Sequence, residues 1–213
     1  MKKIFYLLLI TVHSLTYVNA QNKQIEPKGI YKEIEVESQN KVIEIFNGEN
    51  KTLKQQTVDV IIKNPNNYNP PVIYALSKEL YDNNQKNEAT FWFYVAQLRA
   101  RYDANLCLDN SAKQGVSILN NAYGPNINKY AFQNIEFLEK TVKKVVDFVK
   151  ENNENYDHRW LNLHGMDAVL ASMDGKTEKK ELSKPKSEWP TIKQKTIDDY
   201  YNSFSEYLKS MKK

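Results

Sequence analysis

Arginine is rare in this chain, and its few occurrences mark the residues best suited to form a site. Of 30 basic residues only three are Arg, and these are Arg99, Arg101 and Arg159. The arginine guanidinium is planar, always charged and able to bind a carboxylate through two hydrogen bonds, which a lysine is not. All three lie in aromatic-rich stretches that also hold two acids and a histidine, so the candidate binding residues are Trp92, Arg99, Arg101, Asp103, Asp157, His158, Arg159 and Trp160.

Helical spacing places Trp92, Arg99 and Asp103 on one face of a predicted helix. In one interpretation the arginines pair with Asp103 or Asp157 and tie this helix to residues 156–160. In the other, the same side chains line a pocket or an interface. The structural interpretation is favoured because buried ion pairs usually need arginine geometry. The second interpretation defines the candidate binding site.

The sequence does not predict a catalytic or metal site. His158 and His164 are six residues apart, which matches no standard zinc pattern, and further ligands are not evident. Cys107 is the only cysteine, so it cannot form an intramolecular disulfide. Its neighbours Leu106 and Leu108 predict a buried thiol rather than a nucleophile. We therefore expect no metal, no cofactor and no catalytic residue.

Composition is that of an ordinary globular domain, with 41% apolar and 26% charged residues in 213. No phosphate-binding glycine motif is present. The formal net charge is only +4, and two of the lysines responsible, Lys2 and Lys3, lie at the extreme N-terminus. A balance so close to neutral argues against a nucleic-acid partner.

The N-terminus predicts export. Lys2 and Lys3 precede an apolar run from Ile4 to Val12, and Val18-Asn19-Ala20 forms a small-residue cleavage pattern. The run is too short to span a membrane. We expect residues 1–20 to be a cleaved signal peptide and the product to reach the periplasm, or the extracellular space, without a stable membrane anchor.

Hydrophobic periodicity predicts an all-α protein built from antiparallel helical hairpins. Residues 21–173 form the predicted domain, 174–187 a charged linker, and 188–213 a C-terminal helix that packs on or beside the domain. A Gly124-Pro125 pair predicts the end of one helix. Residues 30–37 fit either a short strand or a first helix. The predicted domain helices span 51–63, 71–81, 87–103, the stretch from Asp109 or Ser111 to Gly124, 135–150 and 163–173.

One helical hairpin, residues 70–103, resembles a tetratricopeptide or Sel1-type repeat unit. Its first helix carries Leu76, Ser77 and Leu80 at the large, small and large positions. Its second helix carries Ala89, Phe93 and Ala96 at the small, aromatic and small positions. Trp92 and Phe93 form an aromatic pair after Glu88-Ala89. The resemblance implies a non-catalytic scaffold for protein partners.

Two functions follow as expectations. The first is an exported, non-enzymatic binding protein that acts on a protein partner, with an immunity-type inhibitor of a periplasm-acting toxin as one form of it. The second, from a different class, is a secreted hydrolase. It would use His158 or His164 together with Asp103, Asp157 or Cys107.

Overall fold

The computed structural model describes residues 26–174 and 181–211, and this part of the chain is entirely helical apart from its connections. The predicted all-α class is therefore confirmed. The predicted signal peptide lies outside the described residues. The eight α-helices of the described ranges are α1 (Glu37–Asn47), α2 (Lys51–Lys63), α3 (Pro70–Asp82), α4 (Lys86–Leu106), α5 (Gln114–Ala131), α6 (Ile135–Glu151), α7 (Met166–Asp174) and α8 (Trp189–Met211).

Asparagine side chains start three of these helices. The Oδ1 atoms of Asn50, Asn69 and Asn134 accept backbone N–H groups three residues ahead, at distances of 3.0, 3.3 and 2.9 Å. Each bond satisfies a donor that the first helical turn leaves without a partner. Asn87 does not start α4, because the helix already begins at Lys86, and its side chain instead accepts the Tyr130 hydroxyl at 2.8 Å.

Helix α4 is the centre of the fold. It packs against α3, α5, α6 and α8, and residues on two of its faces are buried. A helix that is apolar on two sides packs on both of them. Helices α3 and α4 form a hairpin joined by a short turn in which Asn84 has a positive φ of 62°. Asparagine tolerates that conformation better than most residues.

The predicted helix end at Gly124-Pro125 is wrong, because α5 continues through both residues to Ala131. Pro125 lies on the exposed side of α5, where water can bind the carbonyl group that the proline leaves without a partner. Gly124 is needed for close packing instead of capping. A Cβ atom there would lie 3.0 Å from the ring of Phe93 in α4.

Besides the three-residue 3₁₀ turns Pro65–Asn67 and Lys186–Glu188, two longer stretches of the described residues form 3₁₀-helices. Gly29–Glu33 is one of them, so residues 30–37 hold neither a strand nor a full α-helix, and α1 begins only at Glu37. His158–His164 is the second. The helix predicted over 163–173 is correspondingly shorter, because Gly165 follows the second 3₁₀-helix and α7 starts at Met166.

Gly165 allows the start of α7 to approach Asp109. A Cβ atom at 165 would lie 1.9 Å from Asp109 Oδ2. That carboxylate is buried and held by the Ser111 backbone and hydroxyl and by the Asp167 N–H. It cannot move aside without breaking these bonds.

We therefore expect Gly165→Ala to lower the free energy of unfolding by about 1–3 kcal/mol, the usual cost of forcing atoms into a packed site. Gly48→Ala is the matched control. The nearest atom to a Cβ there is 3.4 Å away, an ordinary contact, so stability should hardly change. Urea unfolding of both variants measures the difference. Equal stability of the two would contradict the packing explanation.

The C-terminal part of the predicted linker is packed against the domain. Leu182 is buried, and its backbone oxygen accepts a hydrogen bond from Leu108 N. Lys184 N in turn donates to Leu106 O. Helix α8 then packs against α4 and α6, as the predicted C-terminal helix should. No helix in the described residues is long and apolar enough to cross a membrane.

Candidate functional site

Asp103 ties the central helix to the second 3₁₀-helix. The side chain is fully buried and accepts three hydrogen bonds, from Trp160 Nε1 at 2.6 Å, His158 Nδ1 at 2.6 Å and the Tyr156 hydroxyl at 3.1 Å. The sequence predicted a tie between α4 and residues 156–160 but assigned it to arginine. The structure makes it through a histidine, an indole and a phenol.

Arg99 does not pair with Asp103 or Asp157, which corrects the sequence-based expectation. Its guanidinium is fully buried, donates to Pro65 O at 2.9 Å and to Asn66 Oδ1 at 2.6 Å, and lies over the ring of Phe148. Its carboxylate partner is Glu154, whose Oε1 lies 3.6 Å from Nε. Arg99 therefore connects α4 to the 65–66 turn and to the segment after α6.

Arg159 pairs with Asp157, which is one of the two acids that the sequence offered as partners for the arginines. The guanidinium donates through Nε to Asp157 Oδ1 at 3.0 Å and through Nη2 to Oδ2 at 2.8 Å, and Nη2 also reaches Glu33 O at 2.9 Å. Burial alone would raise the pKa of Asp157, but the hydrogen bonds from Arg159 and from the Glu35 backbone lower it below its usual range. The Arg159 side chain remains 31% exposed in a fixed orientation.

The eight predicted residues do not form one surface. Asp103, Trp160 and the run from Asp157 to Arg159 lie together. Trp92 is buried against Phe148, beside Arg99. Arg101 is exposed on a different face of α4, where it lies over the ring of Tyr200.

His158 lies between the buried acid and two clefts. A cleft of about 670 Å³ is lined by His158 together with Glu154, Arg159 and Trp189. A second cleft, of about 320 Å³, is also lined by His158, Glu154 and Trp189. The rings of His158 and Trp189 pack edge to face, with 5.1 Å between their centroids. His158 and Trp189 therefore form a shared part of the walls of both clefts.

No protein-family model, curated protein or solved structure matches this chain.

Two residues of the clefts were not found from the sequence. Glu154 is buried between Arg99 and Lys193, whose Nζ lies 2.8 Å from Glu154 Oε2. Nothing in the spacing of Glu154 marks it, because its partners come from α4 and α8. Trp189 could have been noticed, since it is one of only three tryptophans and stands directly before the proline at the start of α8.

The Cys107 thiol is buried, as expected, and lies 3.2 Å from Asn162 Oδ1 and 3.5 Å from Asp109 O. In residues 26–174 and 181–211, no group of three or more histidine, cysteine or acidic side chains is arranged to hold a metal ion.

The two described histidines should titrate on opposite sides of the usual value. Burial alone would lower the pKa of His158, but the Asp103 carboxylate raises it above 6.5. Burial lowers the pKa of His164 below 6.5. NMR titration of the imidazole signals should therefore give His158 the higher value. Equal values would contradict the Asp103 contact.

The contact between His158 and Asp103 makes the free energy of unfolding depend on pH. A histidine whose pKa is raised by folding adds stability that is complete below its unfolded pKa of about 6.5 and is lost as the pH rises through the folded pKa. The difference in unfolding free energy between wild type and His158→Gln should be largest below pH 6.5 and decrease at higher pH. Urea unfolding of both proteins at several pH values measures this difference. A difference that grows with pH would contradict the raised pKa of His158.

Proposed function

We propose that this protein is an exported, non-enzymatic binding protein and that a protein partner binds at the cleft of about 670 Å³ beside His158 and Arg159. The observation that carries the proposal is the fixed, partly exposed guanidinium of Arg159 next to the half-buried ring of Trp189. Arginine and tryptophan are the side chains most enriched among residues that dominate the energy of protein interfaces.

The charges around this cleft also support a protein partner. Its lining holds both acidic and basic side chains, which suits a polar rim around an aromatic centre. The acids and bases are Glu33, Glu154, Asp157, Glu181, Arg159, Lys184 and Lys186. Because Asp157 holds the Arg159 guanidinium in place, little side-chain freedom is lost when a partner binds.

The hairpin of α3 and α4 supports a scaffold role as well. We propose that it is a tetratricopeptide-like unit. The residues at its six characteristic positions are all fully buried, as close packing between paired helices requires: Leu76, Ser77, Leu80, Ala89, Phe93 and Ala96. Such units serve as non-catalytic scaffolds for protein partners.

The proposed location is the periplasm, and the proposed partner is a toxin that acts there, with this chain as its inhibitor. Small exported helical proteins often have this role, so the support is an analogy of class. The location is tested by N-terminal sequencing of the expressed protein. It should begin at Gln21, or be blocked there by cyclisation. Recovery of intact Met1 from the cytoplasm would overturn export.

The binding surface is tested by capturing partners on the immobilised processed protein. We expect Arg159→Ala and Trp189→Ala to lose a protein that wild type retains. Arg101→Ala is the control, because Arg101 is an exposed arginine on another face. Thermal melts of all variants exclude unfolding as the cause. Equal retention by the four proteins would show that the partner binds elsewhere.

The hydrolase remains a second candidate because of the Asp103–His158 hydrogen bond of 2.6 Å. Asp103 fixes Nδ1, so Nε2 would be the atom that accepts a proton from water or substrate, as in other acid–histidine pairs. Hydrolysis of p-nitrophenyl acetate decides between the classes. A hydrolase should exceed the buffer rate and lose at least tenfold with His158→Gln. A rate equal to buffer, with partner capture intact, favours the binding protein.

A further inference from the structure

A second concave region lies away from the His158 cleft and is larger, at about 770 Å³. Its walls come from α1, the start of α3, α5, the second 3₁₀-helix and α7. Ile43, Leu119, Tyr123, Trp160 and Val169 supply apolar and aromatic surface. Both the volume and the lining are those of pockets that bind small molecules. Walls from five elements enclose such a pocket on several sides.

No charged side chain is found among the described residues that line this pocket. Acidic and basic residues make up 26% of the chain, yet none of the fourteen described residues that line the pocket is Asp, Glu, Lys or Arg. The histidine at its edge, His164, has a pKa lowered by burial and is neutral at neutral pH. A charged group placed here would lose its water without gaining an opposite charge, which is costly. The lining therefore selects an uncharged occupant.

Some polar groups of the pocket wall are already engaged. The Gln39 amide accepts Asn69 N and donates to Asn67 O, both at 3.0 Å. The indole N–H of Trp160 is held by Asp103, which fixes its ring as part of the wall. Within the described residues the His164 imidazole makes no hydrogen bond. The Tyr123 hydroxyl and the Asn40 amide also line the pocket and make no hydrogen bond among the described residues, so these three groups remain to bind polar atoms of a ligand.

We propose that this pocket binds an uncharged, largely apolar small molecule whose few polar atoms bind to His164, Tyr123 and Asn40. The proposal does not depend on the partner-binding role of the His158 cleft. Trp160 is the one residue with a part in both sites, through its N–H in one and its ring in the other.

The test uses Nile red, an uncharged dye whose fluorescence rises in apolar surroundings, with the processed protein. We expect saturable binding of one dye molecule. 1-Dodecanol should displace the dye, and dodecanoate should need at least a tenfold higher concentration, because the two chains differ in charge at one end. Non-saturable binding, or equal displacement by both compounds, would overturn the proposal.

Two neighbouring substitutions locate the dye. Val169→Asp puts a carboxylate into the pocket and should weaken dye binding at least tenfold. Leu170→Asp makes the same change one residue further on, where the side chain is 55% exposed and does not line the pocket, and should change binding less than twofold. Equal weakening by both would place the dye on the exposed surface of α7 and overturn the proposal.

Asn40→Trp gives a second measurement of where the dye binds, and this measurement holds even if the Val169→Asp variant does not fold. Asn40 is exposed but lines the pocket, so an indole there should fill it and exclude the dye. Lys41→Trp, on an exposed position that does not line the pocket, is its control. Unchanged binding in Asn40→Trp would also overturn the proposal.

Discussion

Asp103→Asn is expected to lower the free energy of unfolding by roughly 3–5 kcal/mol, the cost of breaking a buried, hydrogen-bonded charge pair. The carboxylate accepts from Trp160, His158 and Tyr156, all of them buried. An amide keeps the shape but replaces one acceptor by a donor. The NH2 group then faces either the Trp160 indole N–H, which leaves a buried donor without an acceptor, or His158 Nδ1, which accepts only when the ring is neutral and the charge pair is lost.

Urea unfolding measures this loss, with Asp147→Asn as the matched control. Asp147 is exposed on α6, so the same change there should cost less than about 0.5 kcal/mol. The tie between α4 and residues 156–160 should also loosen, and the indole N–H signal of Trp160 should shift in NMR spectra. A loss below about 1 kcal/mol for Asp103→Asn, with that signal unchanged, would contradict the tie.

Arg99→Lys is expected to cost roughly 2–4 kcal/mol, somewhat less than full loss of a buried pair because lysine keeps the charge. The guanidinium serves three separate partners, Pro65 O, Asn66 Oδ1 and Glu154. A lysine ammonium cannot reach all three from one side-chain geometry. Glu154, which is almost fully buried, would lose part of its compensation and keep only Lys193.

The two other arginines provide the comparison. Arg101→Lys should cost less than about 0.5 kcal/mol, because Arg101 is exposed and lies over one ring only. Arg159→Lys should cost about 1 kcal/mol or less, since its ion pair is partly exposed to water. Thermal melts of the three variants give the order. Equal losses in all three would contradict the different burial of the three sites.

Local sequence signals predicted the helices well because a helix is stabilised by contacts three and four residues apart. Helix α6 shows this most clearly. Its buried face consists of residues spaced at helical intervals, Asn134 caps its start, and Glu136 forms a salt bridge with Lys140, four residues later, at 2.6 Å. The prediction failed at Gly124-Pro125. There the tendency of a Gly-Pro pair to end a helix was outweighed by the contact between Gly124 and Phe93, which lies far away in the sequence.

The sequence grouped eight residues in one candidate site, and the structure places them in separate surroundings. The sequence by itself determined the all-α class and the hairpin of α3 and α4. Arg99 and Arg101 lie two residues apart and so point to different sides of a helix, although they were predicted in one site. Only the tertiary structure decided which side is buried. The partners concerned, Glu154 for Arg99 and Tyr200 for Arg101, come from other segments.

The same reason explains Asp103 and His158. Their side chains meet across 55 residues of sequence, and neither their spacing nor their neighbours indicate the contact. A buried carboxylate takes whichever donors packing brings to it, and here these are an imidazole, an indole and a phenol. Periodicity and capping act within one helix and are readable from the chain. The choice of a buried partner depends on how the helices pack against one another, so only the tertiary structure decides it.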